Sequence, residues 1–340
     1  MTTRILIVGG TGLIGSAISR QLVDGGNDVT ACSRDRSGGS LPPSVHRLVV
    51  DRRDLPAFEP LMAGSGTWDA VIDLACYLPQ EAESAARAFV GRTGQYILAS
   101  TVDVYRKPAS RYPYREDEPL GGIVDYARNK VACEGIVLAA HRESRLLVTI
   151  VRPGATYGDG SLPVHSLGRS TTYLDRLQRG RPIVSHGDGS SLWVFCQAED
   201  VARAFVGAIG NDGALGRAYH AAGEEWLTWD QHHALLAEVI GAPPPRLVHI
   251  PSDALAIMAP ERSRLAVENL QFPAIFDNSL ARAELGFRYT IPMREGLARW
   301  YRSLADAGRI EDSDGDPFDD RLIEAWGRIG GPLEGTAAAG

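Results

Sequence analysis

The chain has 340 residues, 44% of them hydrophobic and 23% charged, with a net charge of −7. That length suits one large domain or two linked ones with ample buried core, and the acidic balance argues against a nucleic-acid footprint or a polybasic membrane patch. No apolar run approaches a membrane span, and the N-terminal MTTRILIVGG reads straight into a strand rather than a signal peptide. Four scattered cysteines (Cys32, Cys76, Cys133, Cys196) lack metal or disulfide spacing. The expectation is a cytoplasmic protein with buried, reduced thiols, no metal site, and no membrane or nucleic-acid partner.

In chain order, strands are predicted at 4–9 (RILIVG), 28–33 (DVTACS), 46–51 (HRLVVD), 70–75 (AVIDLA), 95–100 (QYILAS) and 146–151 (LLVTIV). Amphipathic stretches such as SAISRQLVDGG and EAESAARAFVGRTG separate them. Continuous β-branched runs alternating with helices predict a parallel sheet covered on both faces, a doubly wound α/β domain that binds ligands beyond the carboxyl ends of its strands. This domain is assigned to residues 1–158, with 195–222 returning to it. Residues 159–194 and 223–330 are assigned to a smaller, mixed substrate lobe, and 331–340 (GPLEGTAAAG) to a disordered tail.

The first strand runs into ILIVGGTGLIGSAI, which sets Gly9, Gly12 and Gly15 in G-x-x-G-x-x-G spacing, with Leu13 and Ile14 opening the first helix. Glycines there permit a tight turn and close approach of backbone amides to a pyrophosphate, which a helix N-terminus then stabilises. At the end of the second strand, Ser33 and Arg34 stand where an acid would accept the ribose hydroxyls of NAD. Arginine can pair with the 2′-phosphate of NADP instead, so NADP is favoured and NAD is possible. Asp51 ends the third strand in VVDRRD, placed to accept from the adenine amino group or to cap a helix, and Arg52 adjoins it on the cofactor side.

The fifth strand runs into LASTVDVY, so Thr101 leaves a strand's carboxyl end 25 residues before Tyr126. In DYARNK, Tyr126 and Lys130 stand four apart at the start of a helical stretch and share one face. Lys130 is one of two lysines in the chain, the other being Lys107. An ammonium beside a phenol favours the phenolate. Thr101 could then orient a substrate hydroxyl while Tyr126 takes its proton and a nicotinamide takes hydride.

The segments GGTGLIG, VVDRRD, VIDLAC, STVDVY, YARNK, RPGATYGDG, GDGSSLWVFCQAEDVA and FDNSLARAELGF follow one another in the order seen in the extended short-chain dehydrogenase/reductase family. Over nearly its whole length the chain resembles the NAD-dependent epimerase/dehydratase group of that family. The resemblance implies a Rossmann-type domain, Tyr126 as acid/base, Lys130 at the nicotinamide ribose and Thr101 holding the reacting hydroxyl. It also implies Ala75 and Tyr77 along the cofactor, Pro153 and Gly154 near the nicotinamide, and a homodimer formed through the helix bearing Tyr126. The implied activity is transient oxidation of a sugar-ring hydroxyl in a nucleotide sugar, nucleoside or similar polyol, followed by epimerisation, elimination or decarboxylation.

Two departures refine this. Nucleotide-sugar members carry Arg-Asp-Phe where this chain reads Trp193-Val194-Phe195, and a neutral indole cannot replace a guanidinium at a diphosphate. Tyr157, His165 and Trp193 are expected on the substrate side. Asp103 stands where dehydratases and decarboxylases carry an acid, which leans the expectation from epimerase toward dehydratase, with a turn cap as the structural alternative. A simple NADPH-dependent ketoreductase and a non-catalytic dinucleotide-binding regulator are the competing readings.

Overall fold

Alternating apolar runs and helices build a seven-stranded parallel sheet in the protein, seen in a computed structural model that describes residues 2–34 and 41–329. The tail assigned to 331–340 lies outside the described residues. Six strands, β1 (Arg4–Val8), β2 (Asp28–Ser33), β3 (His46–Val49), β4 (Trp68–Asp73), β5 (Thr93–Ala99) and β6 (Val148–Pro153), are joined by the edge strand Ala218–Ala221. Their order is Ala218–Ala221, β6, β5, β4, β1, β2, β3, and every neighbouring pair is parallel. The winding reverses at β1, so a crevice opens beyond the carboxyl ends of β1 and β4, where doubly wound sheets bind ligands.

The strands are apolar throughout because both faces are covered. Along β1, Ile5 and Ile7 pack with helix α1 (Leu13–Asp24) and the helix Ala198–Ala208, while Leu6 and Val8 pack on the other face. There they meet α2 (Leu55–Gly64), α3 (Pro79–Phe89) and α4 (Asp125–Arg142). Each fully buried aliphatic side chain contributes roughly 1.5–3 kcal/mol, which a strand with one wet face could collect only at alternate positions. The last core strand runs Val148–Pro153 rather than 146–151, because Leu147 is exposed and pairing with the edge strand continues to Pro153.

The chain divides into two compact units: residues Met1–Asp159, Val194–Trp226 and Ala274–Gly296 form the first, and Gly160–Trp193, Leu227–Pro273 and Leu297–Gly340 the second. Residues 223–226 and 274–296, which the sequence places with the substrate lobe, therefore group with the sheet. Long-range hydrogen bonds explain this: the Asn278 side chain accepts from Ala222 N at 3.2 Å and donates to Ala222 O at 2.9 Å.

The second unit is mixed. A parallel pair (Pro182–His186 with Arg246–Ile250) and a short antiparallel pair (Leu192–Trp193 with Leu227–Thr228) accompany helices Thr172–Gln178, Trp229–Val239 and Phe318–Ile329. Beside a small aliphatic core of Val184, Ile250, Leu255 and Leu322 lies an interior built from imidazoles and aromatic rings. His165 stacks on Tyr173 with centroids 4.9 Å apart, the Tyr173 hydroxyl bonds His233 Nδ1 at 2.6 Å, and His186 meets Trp229 edge-on at 5.2 Å. Burial disfavours the imidazolium, holding His165 at about 3 and His186 and His232 at about 4.

Among the described residues, no helix is long and apolar enough to cross a membrane, and no group of three or more histidine, cysteine or acidic side chains could hold a metal ion.

Candidate active site

The crevice at the carboxyl end of β1 is a groove of about 470 Å³. Its floor is the turn from β1 into α1. Gly9 adopts φ +86°, a conformation that side-chain-bearing residues rarely take. A Cβ on Gly15 would stand 2.5 Å from Gly9 O and 2.8 Å from the Gly10 backbone, so α1 seats on the turn only because residue 15 has no side chain. Gly12 caps α1 with no side-chain hydrogen bond, which leaves the amides of the first turn directed at the groove. Leu13, Ile14 and Thr11 complete that wall. Such a cradle fits a pyrophosphate.

At the far end the groove is bounded by the ends of β2 and β3, which are joined by a Val50 N–H to Ser33 O bond of 3.0 Å. Ser33, Arg34, Asp51, Arg52 and Arg53 all line it. Their roles differ. Arg34 and Arg53 are exposed. Arg52 is buried and turned inward: it pairs with Asp73 at 3.4 Å, donates to Glu81 O and covers the Phe58 ring at 4.1 Å. It braces the wall and leaves Nη1 without a partner among the described residues. The Asp51 carboxylate accepts from Arg53 N at 3.0 Å, closing a turn. Cys32 lines the groove as a neutral thiol, pushed up to about 12 chiefly by burial.

The groove's other wall runs through Ala75 and Tyr77 to the residues expected to carry the chemistry. Tyr77 and Tyr126, 42% and 41% exposed, have ring centroids 6.3 Å apart. Lys130 lies beneath both, its Nζ 4.7 Å from the Tyr77 ring and 6.0 Å from the Tyr126 ring. It is 1% exposed and donates to Cys76 O and Ala99 O, each at 2.7 Å. Burial pulls its pKa below the ordinary lysine value, against the attraction of nearby acids and thiols. An ammonium has three donors, and these two carbonyls engage two of them.

Ala99 ends β5, and Thr101 follows it. The Thr101 hydroxyl accepts from Asp103 N at 3.2 Å, at the start of a 3₁₀ turn Val102–Val104. This turn packs on the first turn of α4. A Cβ on Gly122 would meet Ala127 Cβ at 2.2 Å and Asp103 O at 2.9 Å, so glycine there lets the loop approach the residue after Tyr126. Asp103 is ion-paired with Lys107 at 2.9 Å, and the Lys107 side chain is 5% exposed. Ser100, between Ala99 and Thr101, has a buried hydroxyl with no partner among the described residues, consistent with a polar group arriving from outside the chain.

Beneath the loop a buried polar chain ties α4 to β6. Arg152 grips Glu134 through two bonds of 2.9 and 2.7 Å and donates to the Tyr105 hydroxyl at 2.7 Å. Tyr105 bonds His220 Nε2 at 2.6 Å, and His220 Nδ1 faces Asp277 O at 3.0 Å. Burial works against the Arg152 charge, but the Glu134 carboxylate more than offsets it and raises the arginine above its ordinary value.

The first unit thus brings together Gly9, Gly12, Leu13, Ile14, Gly15, Ser33, Arg34, Asp51, Arg52, Ala75 and Tyr77 on one groove. Lys130 places Tyr126 beside its Tyr77 wall. Pro153 ends β6 and Gly154 follows it, bonding Ala221 O through its N–H at 3.0 Å, and the groove is reached instead by Thr156, two residues on. Tyr157 is buried, packed edge-on to Phe195 at 6.3 Å. His165 and Trp193 belong to the second unit, both buried, with Trp193 5.7 Å from Trp229. The sequence reading lacks Thr11, Arg53, Thr156 and Lys107. The first two were within reach, since they lie inside the GGTGLIG and VVDRRD segments, whereas Lys107 is joined to the site only by its pairing with Asp103.

Residues 5–222 match the NAD dependent epimerase/dehydratase family. The 2'-dehydrokanamycin reductase of Streptomyces kanamyceticus is 29% identical over 279 residues, covering 82% of this chain and 78% of that protein. The chloroplast stem-loop binding protein of 41 kDa b of Arabidopsis thaliana is 27% identical over 259 residues, covering 72% and 65%. The fold superposes on the dTDP-glucose 4,6-dehydratase of Streptomyces venezuelae, solved with NAD bound, with a TM-score of 0.70 and 23% identity over 89% of this chain and 97% of that one. With the glycine turn, the groove and the match over residues 5–222 in agreement, the chain belongs to the NAD-dependent epimerase/dehydratase family.

Proposed function

We propose that the protein exchanges hydride between NADP(H) and a ring hydroxyl or ketone of a sugar-containing small molecule, with Tyr126 as the acid/base. The observation that carries this is Lys130, an ammonium 1% exposed, clamped by two carbonyls and set under both the groove residue Tyr77 and Tyr126. Burying a cation is costly, and a role in stabilising a phenolate accounts for it.

A bound nicotinamide supplies the hydride acceptor or donor. The chain's own residues do the rest. Thr101 Oγ1 accepts from Asp103 N and keeps its O–H to donate to the substrate oxygen. The Tyr126 phenolate takes the proton of a substrate hydroxyl during oxidation, and its phenol returns one to the oxygen during reduction. Lys130 stabilises the anionic state of Tyr126.

The sequence leans toward elimination through Asp103. That residue's carboxylate is held by Lys107, and Val102 beside it is buried. Simple reduction of a ketone is the preferred reading. Similarity to a protein named 2'-dehydrokanamycin reductase supports it and suggests a glycoside ketone as substrate. Trp193 in place of a phosphate-gripping arginine supports a substrate without a diphosphate. Elimination is the second reading, carried by the position of Asp103 two residues after Thr101. Similarity to a stem-loop binding protein raises a non-catalytic reading, which the net charge of −7 and the assembled Tyr126–Lys130 pair oppose.

The test is a panel of aminoglycosides, nucleosides, nucleotide sugars and their keto forms, incubated with NADPH or NADP and followed at the reduced-cofactor absorbance, with products weighed by mass spectrometry. Reduction adds two hydrogens and releases oxidised cofactor, whereas elimination lowers product mass by one water with no net change in cofactor. Tyr126→Phe should lose about 10²–10⁴ in turnover with dinucleotide affinity intact. Full activity in that variant would sink the mechanism.

A further inference from the structure

We infer that Arg53 is a second recognition residue for the adenosine end of the dinucleotide, acting with Arg34 as a two-guanidinium clamp on a 2′-phosphate. The inference rests on the assignment of the groove to a nicotinamide dinucleotide.

The two arginines come from adjacent strands. Ser33, the last residue of β2, pairs in register with Val49, the last of β3, and its carbonyl accepts from Val50 N at 3.0 Å. Neighbouring strands lie about 4.8 Å apart, so the segments leaving them start side by side at the groove's end. Arg34 follows Ser33 directly. On the β3 side, a turn fixes where the next residues go: Asp51 Oδ1 accepts from Arg53 N at 3.0 Å and Asp54 N donates to Asp51 O at 3.0 Å. This turn sends consecutive arginines in opposite directions. Arg52 goes inward to Asp73 and Glu81 O, and Arg53 is exposed on the groove wall.

With Arg52 paired to Asp73, the charged side chains left lining this end are Arg34, Arg53 and Asp51, two cations to one anion. Among the described residues, no carboxylate lies within ion-pair distance of Arg34 or Arg53. Asp51, two residues before Arg53, spends one oxygen on the Arg53 amide, and Asp54 accepts from Ala57 N at 3.2 Å at the start of α2. Both guanidiniums act on Tyr77 across the groove, each pulling its pKa down against the burial that raises it. A dianionic phosphate needs donors and positive charge, and guanidiniums from two strands provide both with the geometry that suits phosphate oxygens.

The experiment is calorimetry on the full chain with NADPH, NADH, 2′,5′-ADP and 5′-ADP, comparing wild type, Arg53→Ala, Arg53→Lys and Arg34→Ala. Arg53→Ala should weaken NADPH and 2′,5′-ADP by about tenfold to a hundredfold, the worth of one charge-assisted hydrogen bond, and NADH and 5′-ADP by less than about twofold. Arg53→Lys should recover part of the loss. Equal weakening of NADPH and NADH would make Arg53 a structural residue and overturn the inference, as would no weakening of either. A wild type that binds NADH as tightly as NADPH overturns the clamp while sparing the dinucleotide assignment, and a wild type that binds none of the four probes overturns that assignment itself.

Discussion

Breaking the Glu134–Arg152 pair should cost more than any surface ion pair in the chain. Both side chains are almost wholly buried, at 1% and 5% exposure, and meet through two bonds of 2.7 and 2.9 Å. Glu134→Ala strips the guanidinium of its counter-ion and of the partners for Nε and Nη2, leaving only Tyr105 and the Glu116 carbonyl on Nη1. Removing one partner of a buried pair typically costs about 3–5 kcal/mol, since the other charge is left uncompensated. Glu134→Gln, which keeps an acceptor but not the charge, should cost about 2 kcal/mol. The double variant Glu134→Leu with Arg152→Met removes both desolvation penalties and should lie within about 2 kcal/mol of wild type. Urea unfolding followed by circular dichroism reads these as shifts in midpoint at unchanged slope, and a double-mutant cycle isolates the pair. Single costs that simply add in the double variant, or a Glu134→Ala cost under about 1 kcal/mol, would refute the reasoning. The same pair anchors the helix of Tyr126 and Lys130 to the strand beneath the Thr101 loop, so Glu134→Ala should also reduce turnover while leaving NADPH affinity within about threefold.

Acid should unfold the second unit before the first. His165 lies at about 3 and His186 and His232 at about 4 in the folded chain, against an ordinary 6.5. Above pH 6.5 neither state takes a proton there and full stability is present; as pH falls from 6.5 toward 4 only the unfolded chain protonates, and each imidazole withdraws up to about 3 kcal/mol. A midpoint of urea unfolding that is constant between pH 7 and 5 would contradict this. Gly15→Ala, whose Cβ would stand 2.5 Å from Gly9 O, should lower both stability and dinucleotide affinity. Gly12→Ala, whose nearest contact is an ordinary 3.4 Å, should fold normally and lose affinity alone, a contrast that calorimetry and thermal melting separate. Asp103→Asn should keep ketone reduction within about tenfold of wild type if reduction is the reaction, and should abolish any product lighter by one water if elimination is.

How much was legible follows from how far each feature reaches along the chain. The glycine turn, Ser33 and Arg34, and the Tyr126–Lys130 spacing are encoded within a turn or two of sequence, and each lies where the motif puts it. The parallel, doubly wound sheet follows from the alternation of apolar runs with helices. The inward turn of Arg52 was not legible, because the decision between Arg52 and Arg53 is made by Asp73, more than twenty residues away. Nor was the pairing of residues 274–296 with the sheet, which depends on Asn278 finding Ala222 across 56 positions. Lys107 stands four residues from Asp103, yet their pairing gives no sequence signal apart from proximity, since the segment between them is irregular. The second unit was the least readable, because its interior is assembled from histidines and tryptophans whose spacing follows neither a helical nor a strand period.

The two lysines bear on more than catalysis. Among 35 basic residues they are the only ones with a primary amine, and both side chains are at least 95% covered: Lys130 under the tyrosines, Lys107 against Asp103. The arginine-rich exterior therefore offers acylating enzymes, reducing sugars and amine-directed cross-linkers no lysine to attack. A succinimidyl ester or an aldehyde that does modify Lys130 in the folded protein must have passed the Tyr77 and Tyr126 rings that cover it. Covalent labelling, ordinarily a survey of a protein's surface, becomes here a report on whether the site is open, and protection from it by a nucleotide or glycoside becomes a screen for the substrate.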